Sequence, residues 1–315
     1  MSNYIEQAYK GDNHILKYIF SIITIFIGWQ VIGVIPLFVV ALSKSDSMEE
    51  LINSSQDAFT SLGIDSNLYL FVMIISFLFG LITLFIAVKY IHKREIKTLI
   101  TSRNKIDWNR VLYSFSLWFV IALSMLTIDY FLNSENYIFN FQPIPFLILV
   151  LVSFLFMPFQ TSFEELLFRG YFMQGLGVLF KNSAVPLVVT SVIFGLLHSF
   201  NPEYDKLGPM VMIYYIGTGF LFGITTLMDE GTELSLGMHA ANNIVAAVFV
   251  TMNWTVFQTE ALFIDTSEPT VGFELFLPVF VIYPFVLFIF SKRYSWQNWK
   301  QKLLGRIEKP IEINL

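Results

Sequence analysis

Residues 144–172 read IPFLILVLVSFLFMPFQTSFEELLFRGYF. The first part of this stretch is an uncharged apolar run, and a helix that spans a bilayer needs about 20 such residues. The run then meets three charges, Glu164, Glu165 and Arg169. Ionisable side chains at membrane depth are expensive and mark functional candidates. The stretch therefore sets both the fold class and the place to look for chemistry.

Composition supports the membrane reading. The chain has 315 residues, 55% hydrophobic and only 14% charged, and its mean hydropathy is +0.64. Soluble domains carry about a quarter charged residues, so this chain has too few to cover a wetted surface. It has no cysteine, which excludes disulfides, thiolate nucleophiles and cysteine-based metal sites. The net charge of -5 carries little information, because membrane proteins distribute charge by loop.

Apolar runs fall at about 18–42, 68–88, 111–132, 144–160, 184–200, 209–228, 233–253 and 273–291. The first is too long for a signal-peptide core and is read as a retained span. The segment 89–110 carries Lys89, Lys93, Arg94, Lys97, Arg103, Lys105 and Arg110, and the tail after 291 is also basic. The segments 43–67 and 254–272 are acidic. Lysine and arginine stay on the cytoplasmic side. About eight transmembrane helices with both termini cytoplasmic satisfy all four segments. The expected fold is an all-α polytopic membrane helical bundle. It divides into N-terminal helices and loops (1–143), a core (144–253), and a C-terminal loop, last helix and basic tail (254–315). Its surroundings are the lipid bilayer, and nothing in the sequence calls for nucleic acid.

Glu165 and Arg169 are four apart, share a helix face and can pair. Such an ion pair needs no catalysis to explain it. Glu164 points about 100° away, so Arg169 cannot neutralise both carboxylates equally, and a glutamate without a full partner can serve as a general base. Two further runs send polar groups inward. His198 ends FGLLHSF, and His239 and Asn243 lie one turn apart in GMHAANNIV, with Asn242 about 100° off their face. His14 and His92 lie in polar segments and receive no role.

Together these groups can perform hydrolysis. Glu164 and His198 can activate water, while His239 and Asn243 can donate to an oxyanion. Glu164, His198 and His239 are equally a three-ligand zinc set with an open position, although the HExxH signature is absent. The residues leave carboxylate and metal activation both open. A proton-coupled transporter would use similar buried groups, but the internal repeats common in transporters are not visible.

EELLFR (Glu164, Glu165, Arg169), FGLLH (Phe194, His198) and HAANN (His239, Asn243) match EExxxR, FxxxH and HxxxN. In this order they resemble the CPBP intramembrane proteases, also called the Abi family, which include the CAAX-processing protease of the Ras-converting type. The resemblance covers roughly 145–250 and shows no departure at the motif positions. It implies that Glu164 is the catalytic carboxylate, that His198 helps activate water, and that His239 and Asn243 bind the oxyanion. It implies supporting roles for Glu165 and Arg169 and places Phe194 beside His198. It also implies a peptide or lipidated protein substrate of the prenylated CAAX or bacteriocin kind. Members are described both as metalloproteases and as glutamate-dependent proteases, so zinc stays possible, with the metal-free form favoured. The composition favours a bacterial plasma membrane, and a non-catalytic immunity or scaffold protein of the same fold is the alternative.

One geometric difficulty follows. If the fourth helix ends near residue 165 and the fifth begins soon after, Glu164 and His198 lie at opposite faces of the membrane. The helix can run on past Arg169 through the still apolar 166–180, with Pro158 as a kink site. Alternatively, His198 lies midway along a later-starting helix. The segment 161–180 could also lie at the interface.

Overall fold

Short polar residues at the ends of the apolar runs set where the helices begin. Asp65 accepts the Leu68 amide at 3.0 Å, Asp107 accepts that of Asn109 at 3.1 Å, and Asn182 accepts that of Val185 at 2.8 Å. Each satisfies an amide that a helix start leaves without a partner. The computed structural model describes residues 3–310. Its long helical segments are α1 (Ile15–Lys44), α2 (Ser66–Ile91), α3 (Trp108–Leu132), α4 (Pro143–Phe180), α5 (Ala184–Phe200), α6 (Val211–Asp229), α7 (Glu233–Val248) and α8 (Phe273–Arg293).

Every apolar run expected from the sequence is helical. Among the described residues, 6 helices are long and apolar enough to cross a membrane: α1, α2, α3, α4, α8 and α6 with the Pro202–Met210 segment before it. The fifth run, α5, is a shorter apolar helix, and α7 is only 16 residues long. The chain is an all-α polytopic membrane bundle. The seventh run stops at Val248, not 253. The next two residues form a strand, β2 (Val250–Thr251), in a small sheet ordered β1-β3-β2. Its other strands are β1 (Tyr137–Phe139), antiparallel to β3 (Phe263–Asp265), while β2 runs parallel to β3. Strands this short lack the alternating pattern by which a strand is read.

The fourth run differs most. It was expected to end near 160 but continues to Phe180, and the stretch Leu166–Phe172 is wound as a π-helix. Wider turns of this kind recur at functional sites. Lys181, in the left-handed conformation, ends the helix. Glu164 is then 17 residues before Lys181, and His198 is 15 residues after Ser183. The hairpin that continues past Arg169 therefore brings the two groups toward one region. The segment 161–180 is not a surface ramp, because Phe163 to Tyr171 are all buried apart from the partly exposed Glu164. Gln174 donates to the Tyr4 and Thr98 carbonyls at 3.2 and 2.7 Å.

The helices alternate in direction between two ends. At one end the Tyr4 amide donates to Glu230 at 2.5 Å, and that of Thr232 donates to the Ile100 carbonyl at 2.7 Å. The Ser183 amide donates to Gly305 at 3.0 Å. The two basic segments thus share this end with the start of the described chain. Asp229 collects Arg103 at 2.9 Å, Arg110 at 2.5 Å and the Trp296 indole at 3.1 Å. At the opposite end Ser66 donates to Glu260 at 3.0 Å, which joins the two acidic segments.

Small residues set how closely helices approach. A side chain at Gly219 would come within 2.5 Å of the Ser191 carbonyl, and one at Gly237 within 2.2 Å of the Val111 carbonyl. These glycines bring α6 onto α5 and α7 onto α3. The chain has no native cysteine, so single cysteines report sidedness cleanly. Cysteines at Lys181 and Arg306 should label from the same side of sealed vesicles with an impermeant maleimide. One at Asp46 should label only from the other side.

Candidate active site

Arg169 has no solvent exposure, and a guanidinium cannot shed its charge to suit its surroundings. It must be satisfied by protein. One turn earlier on α4, Glu165, equally buried, accepts from it at 3.1 Å. The Gly219 carbonyl of α6 accepts from its second terminal nitrogen at 3.1 Å. The Phe194 ring of α5 lies 4.2 Å from the guanidinium carbon, a cation–π contact made stronger by the dry site.

α7 brings His239 to the same carboxylate. Its Nδ1–H donates to Glu165 Oε1 at 2.9 Å, and its ring stacks on Phe222 of α6 with centroids 5.0 Å apart. Its Nε2 lies 3.4 Å from Glu164 Oε2. A single histidine therefore spans both glutamates.

Glu164 and Glu165 differ in environment. The Glu165 side chain is fully enclosed, whereas that of Glu164 is 15% exposed. Glu164 Oε1 accepts from Gln160, one turn back on α4, at 2.8 Å. Oε2 of both glutamates makes no hydrogen bond. Arg169 reaches only Glu165, as the helical geometry predicts.

His198 ends the α-helical part of α5. Its Nδ1 lies 2.8 Å from the Phe194 carbonyl, an acceptor only, so this nitrogen carries the proton. The neutral ring then keeps Nε2 as a free base. The ring stacks on Tyr215 at 4.5 Å and lies within electrostatic reach of Glu164 and His239. Asn243 Nδ2 donates to Gln160 Oε1 at 3.0 Å. Asn242, off the His239 face, donates to Asn243 at 3.2 Å and accepts from the Trp118 indole at 3.2 Å.

Glu164, Glu165, Arg169, Phe194 and His239 are thus joined by direct contacts. Asn243 reaches Glu164 through Gln160, and His198 joins through Phe194, whose ring lies 4.8 Å away. His239 and Asn243 share a face as expected, but each leans on a different residue of α4. Two contributors had not been picked out. Gln160 was legible, because it sits four residues before Glu164. Phe222 was not, because one more phenylalanine in a membrane helix stands out in no way. The spacing of Gly219 and Gly223 marks close helix approach, but not that the Gly219 carbonyl meets Arg169.

The zinc reading requires Glu164, His198 and His239 to converge. Among the described residues, no three histidine, aspartate or glutamate side chains are grouped to hold a metal ion. His239 and His198 each give Nδ1 to an oxygen acceptor, which leaves both Nε2 atoms as the nitrogens turned to the site.

Residues 143–245 match the family model described as Type II CAAX prenyl endopeptidase Rce1-like. This segment runs from the start of α4 through Asn243 and carries every site residue named above except Trp118. The matched core is similar to CAAX-type endopeptidases over that segment, and the chain is an integral membrane protein. The chain is also similar to "Uncharacterized protein YyaK" of Bacillus subtilis (strain 168). The two are 29% identical over 249 residues, which cover 79% of this chain and 82% of the relative. No solved structure matches the chain.

The two glutamates should separate in stability. Arg169→Leu leaves Glu165 buried and unpaired, and should cost about 3 kcal/mol or more. Glu164→Gln keeps the shape of a partly exposed side chain and should cost under about 1 kcal/mol. Reversible unfolding in mixed micelles distinguishes the two values.

Proposed function

We propose that the chain is an intramembrane endopeptidase in which Glu164 and His198 activate water against a peptide bond. The observation that carries this reading is the asymmetry of the glutamate pair. Glu165 gives one oxygen to both Arg169 and His239 and its side chain is fully enclosed, while Glu164 is held at Oε1 by Gln160 and its side chain is partly exposed. A base has to be held in place and still be reachable by water.

In this reading Glu164 Oε2 takes a proton from water, and His198 Nε2 orients that water. The oxygen attacks the scissile carbonyl. The negative charge that develops on the carbonyl oxygen receives hydrogen bonds from Asn243 Nδ2 and from a proton on His239 Nε2. Glu164 returns its proton to the leaving nitrogen, so the bond breaks to an acid and an amine. Glu165 and Arg169 hold His239 in place, and Phe194 packs beside His198. No cofactor enters this scheme. The substrate is a membrane-associated peptide, either of the prenylated CAAX type, which the family match supports, or of the bacteriocin type. The membrane is the plasma membrane of a bacterium, in keeping with a Bacillus relative. The 144–253 core acts as the catalytic unit between the flanking helices.

The test is cleavage of prenylated and plain membrane peptides by the purified protein in liposomes. Glu164→Gln should lower turnover by about a hundredfold or more, and His198→Ala by a comparable amount. A strong chelator should leave cleavage intact. Cleavage that survives Glu164→Gln would overturn the assignment. Loss on chelation with recovery on zinc would overturn the metal-free scheme.

A further inference from the structure

Four hydrogen bonds run in one direction from α3 through α7 to α4. The Trp118 indole donates to Asn242 Oδ1 at 3.2 Å, and Asn242 Nδ2 donates to Asn243 Oδ1 at 3.2 Å. Asn243 Nδ2 donates to Gln160 Oε1 at 3.0 Å, and Gln160 Nε2 donates to Glu164 Oε1 at 2.8 Å. An indole can only donate, and an ionised carboxylate can only accept. The two ends therefore fix the orientation of all three amides between them. A carboxamide facing either way is nearly the same shape, so nothing else in the chain of contacts would choose.

We propose that Trp118, Asn242 and Gln160 are positioning residues that act through Asn243 on Glu164. The inference rests on the catalytic reading of Glu164. Trp118 is buried in the core beside Tyr283, with ring centroids 5.8 Å apart, so its N–H is aimed by packing. Asn242 then turns its donors to Asn243, whose carbonyl is occupied and whose amide must face α4. Gln160 in turn presents N–H to Glu164. This holds Oε1 in place and leaves Oε2 to the water. The same bonds aim Asn243 Nδ2 toward the carbonyl that is cleaved. Reversing any one amide would set two carbonyls or two amides against each other along the line. Glu165 and Arg169 on α4, His198 on α5 and His239 on α7 are the other ionisable groups facing Glu164; none of them belongs to the line.

Two substitutions separate direction from bulk. Trp118→Phe keeps the aromatic packing and removes the first donor. Asn242→Asp keeps shape and still accepts from Trp118, but sets an acceptor against Asn243 Oδ1. Kinetics on whichever peptide the native protein cleaves should show kcat lowered about tenfold by each variant, with KM within twofold. Gln160→Leu should resemble them, and Gln160→Glu should not rescue. A second readout needs no substrate. The infrared carboxylate bands of Glu164, isolated as native minus Glu164→Gln, should shift in the same direction in Trp118→Phe and Gln160→Leu. Unchanged kcat in Trp118→Phe and Asn242→Asp, or an unmoved Glu164 band in Trp118→Phe, would overturn the proposal. If the native protein cleaves no peptide, the catalytic reading is what fails, and the infrared shift still decides whether the line of amides reaches Glu164.

Discussion

A guanidinium with no route to water constrains everything around it. Arg169 is enclosed among helices whose outer faces meet lipid, so its charge has to be met by Glu165, the Gly219 carbonyl and the Phe194 ring. Those three contacts tie α4 to α6 and α5, and Glu165 extends the tie to α7 through His239. Four helices are thereby fixed around one cation. Glu165 is enclosed in the process, and Glu164 remains the carboxylate with a partly exposed side chain. The chemistry assigned to the site follows from that division of labour. A buried ion pair is weak grounds for stability in itself; here its value is the geometry it imposes.

The same need for internal partners explains the place of α7. It is short, with most of its side chains buried, and it packs against α3, α4 and α6. Polar side chains on such a helix look inward to protein and can be bonded in lines, as Asn242 and Asn243 are. Its height in the bundle is set at the basic end. Asp229, at the turn before it, takes Arg103, Arg110 and Trp296, and Glu233, in its first turn, takes Arg103 at 3.1 Å. Next to them, burial pushes the Glu230 carboxyl up while Lys302 opposes the shift. Basic segments that orient a membrane chain thus also clamp the turn from which His239 projects. Many of those lysines and arginines would be counted as solvated charge on sequence alone.

Much of this was legible from residue order. Membrane residence follows from too few charges to cover a surface, and the helices follow from runs of apolar length. The Glu165–Arg169 pair and the separate fate of Glu164 follow from 100° per residue. The resemblance in the three motifs marks the region that the family model matches. The run-on of α4 through its π-helical turn was one of two ways to reconcile Glu164 with His198. Periodicity could not choose between them, because 166–180 is apolar in either case. The choice belongs to contacts: Gly170 lies against Leu99, and Tyr171 bonds His92 at 2.8 Å.

The sequence by itself determined the class of fold, the alternation of acidic and basic connections, and the set of polar side chains that have to turn inward. These are local properties, fixed by hydropathy and helical pitch. Only the tertiary structure decided that His239 stands between two glutamates, that Gln160 links Glu164 to Asn243, and that Trp118 orients the amides from another helix. Those pairings join residues between 74 and 124 positions apart. No helical period reaches that far. They arise because glycines let particular helices approach, and because each buried donor then takes the nearest acceptor that water would otherwise have supplied.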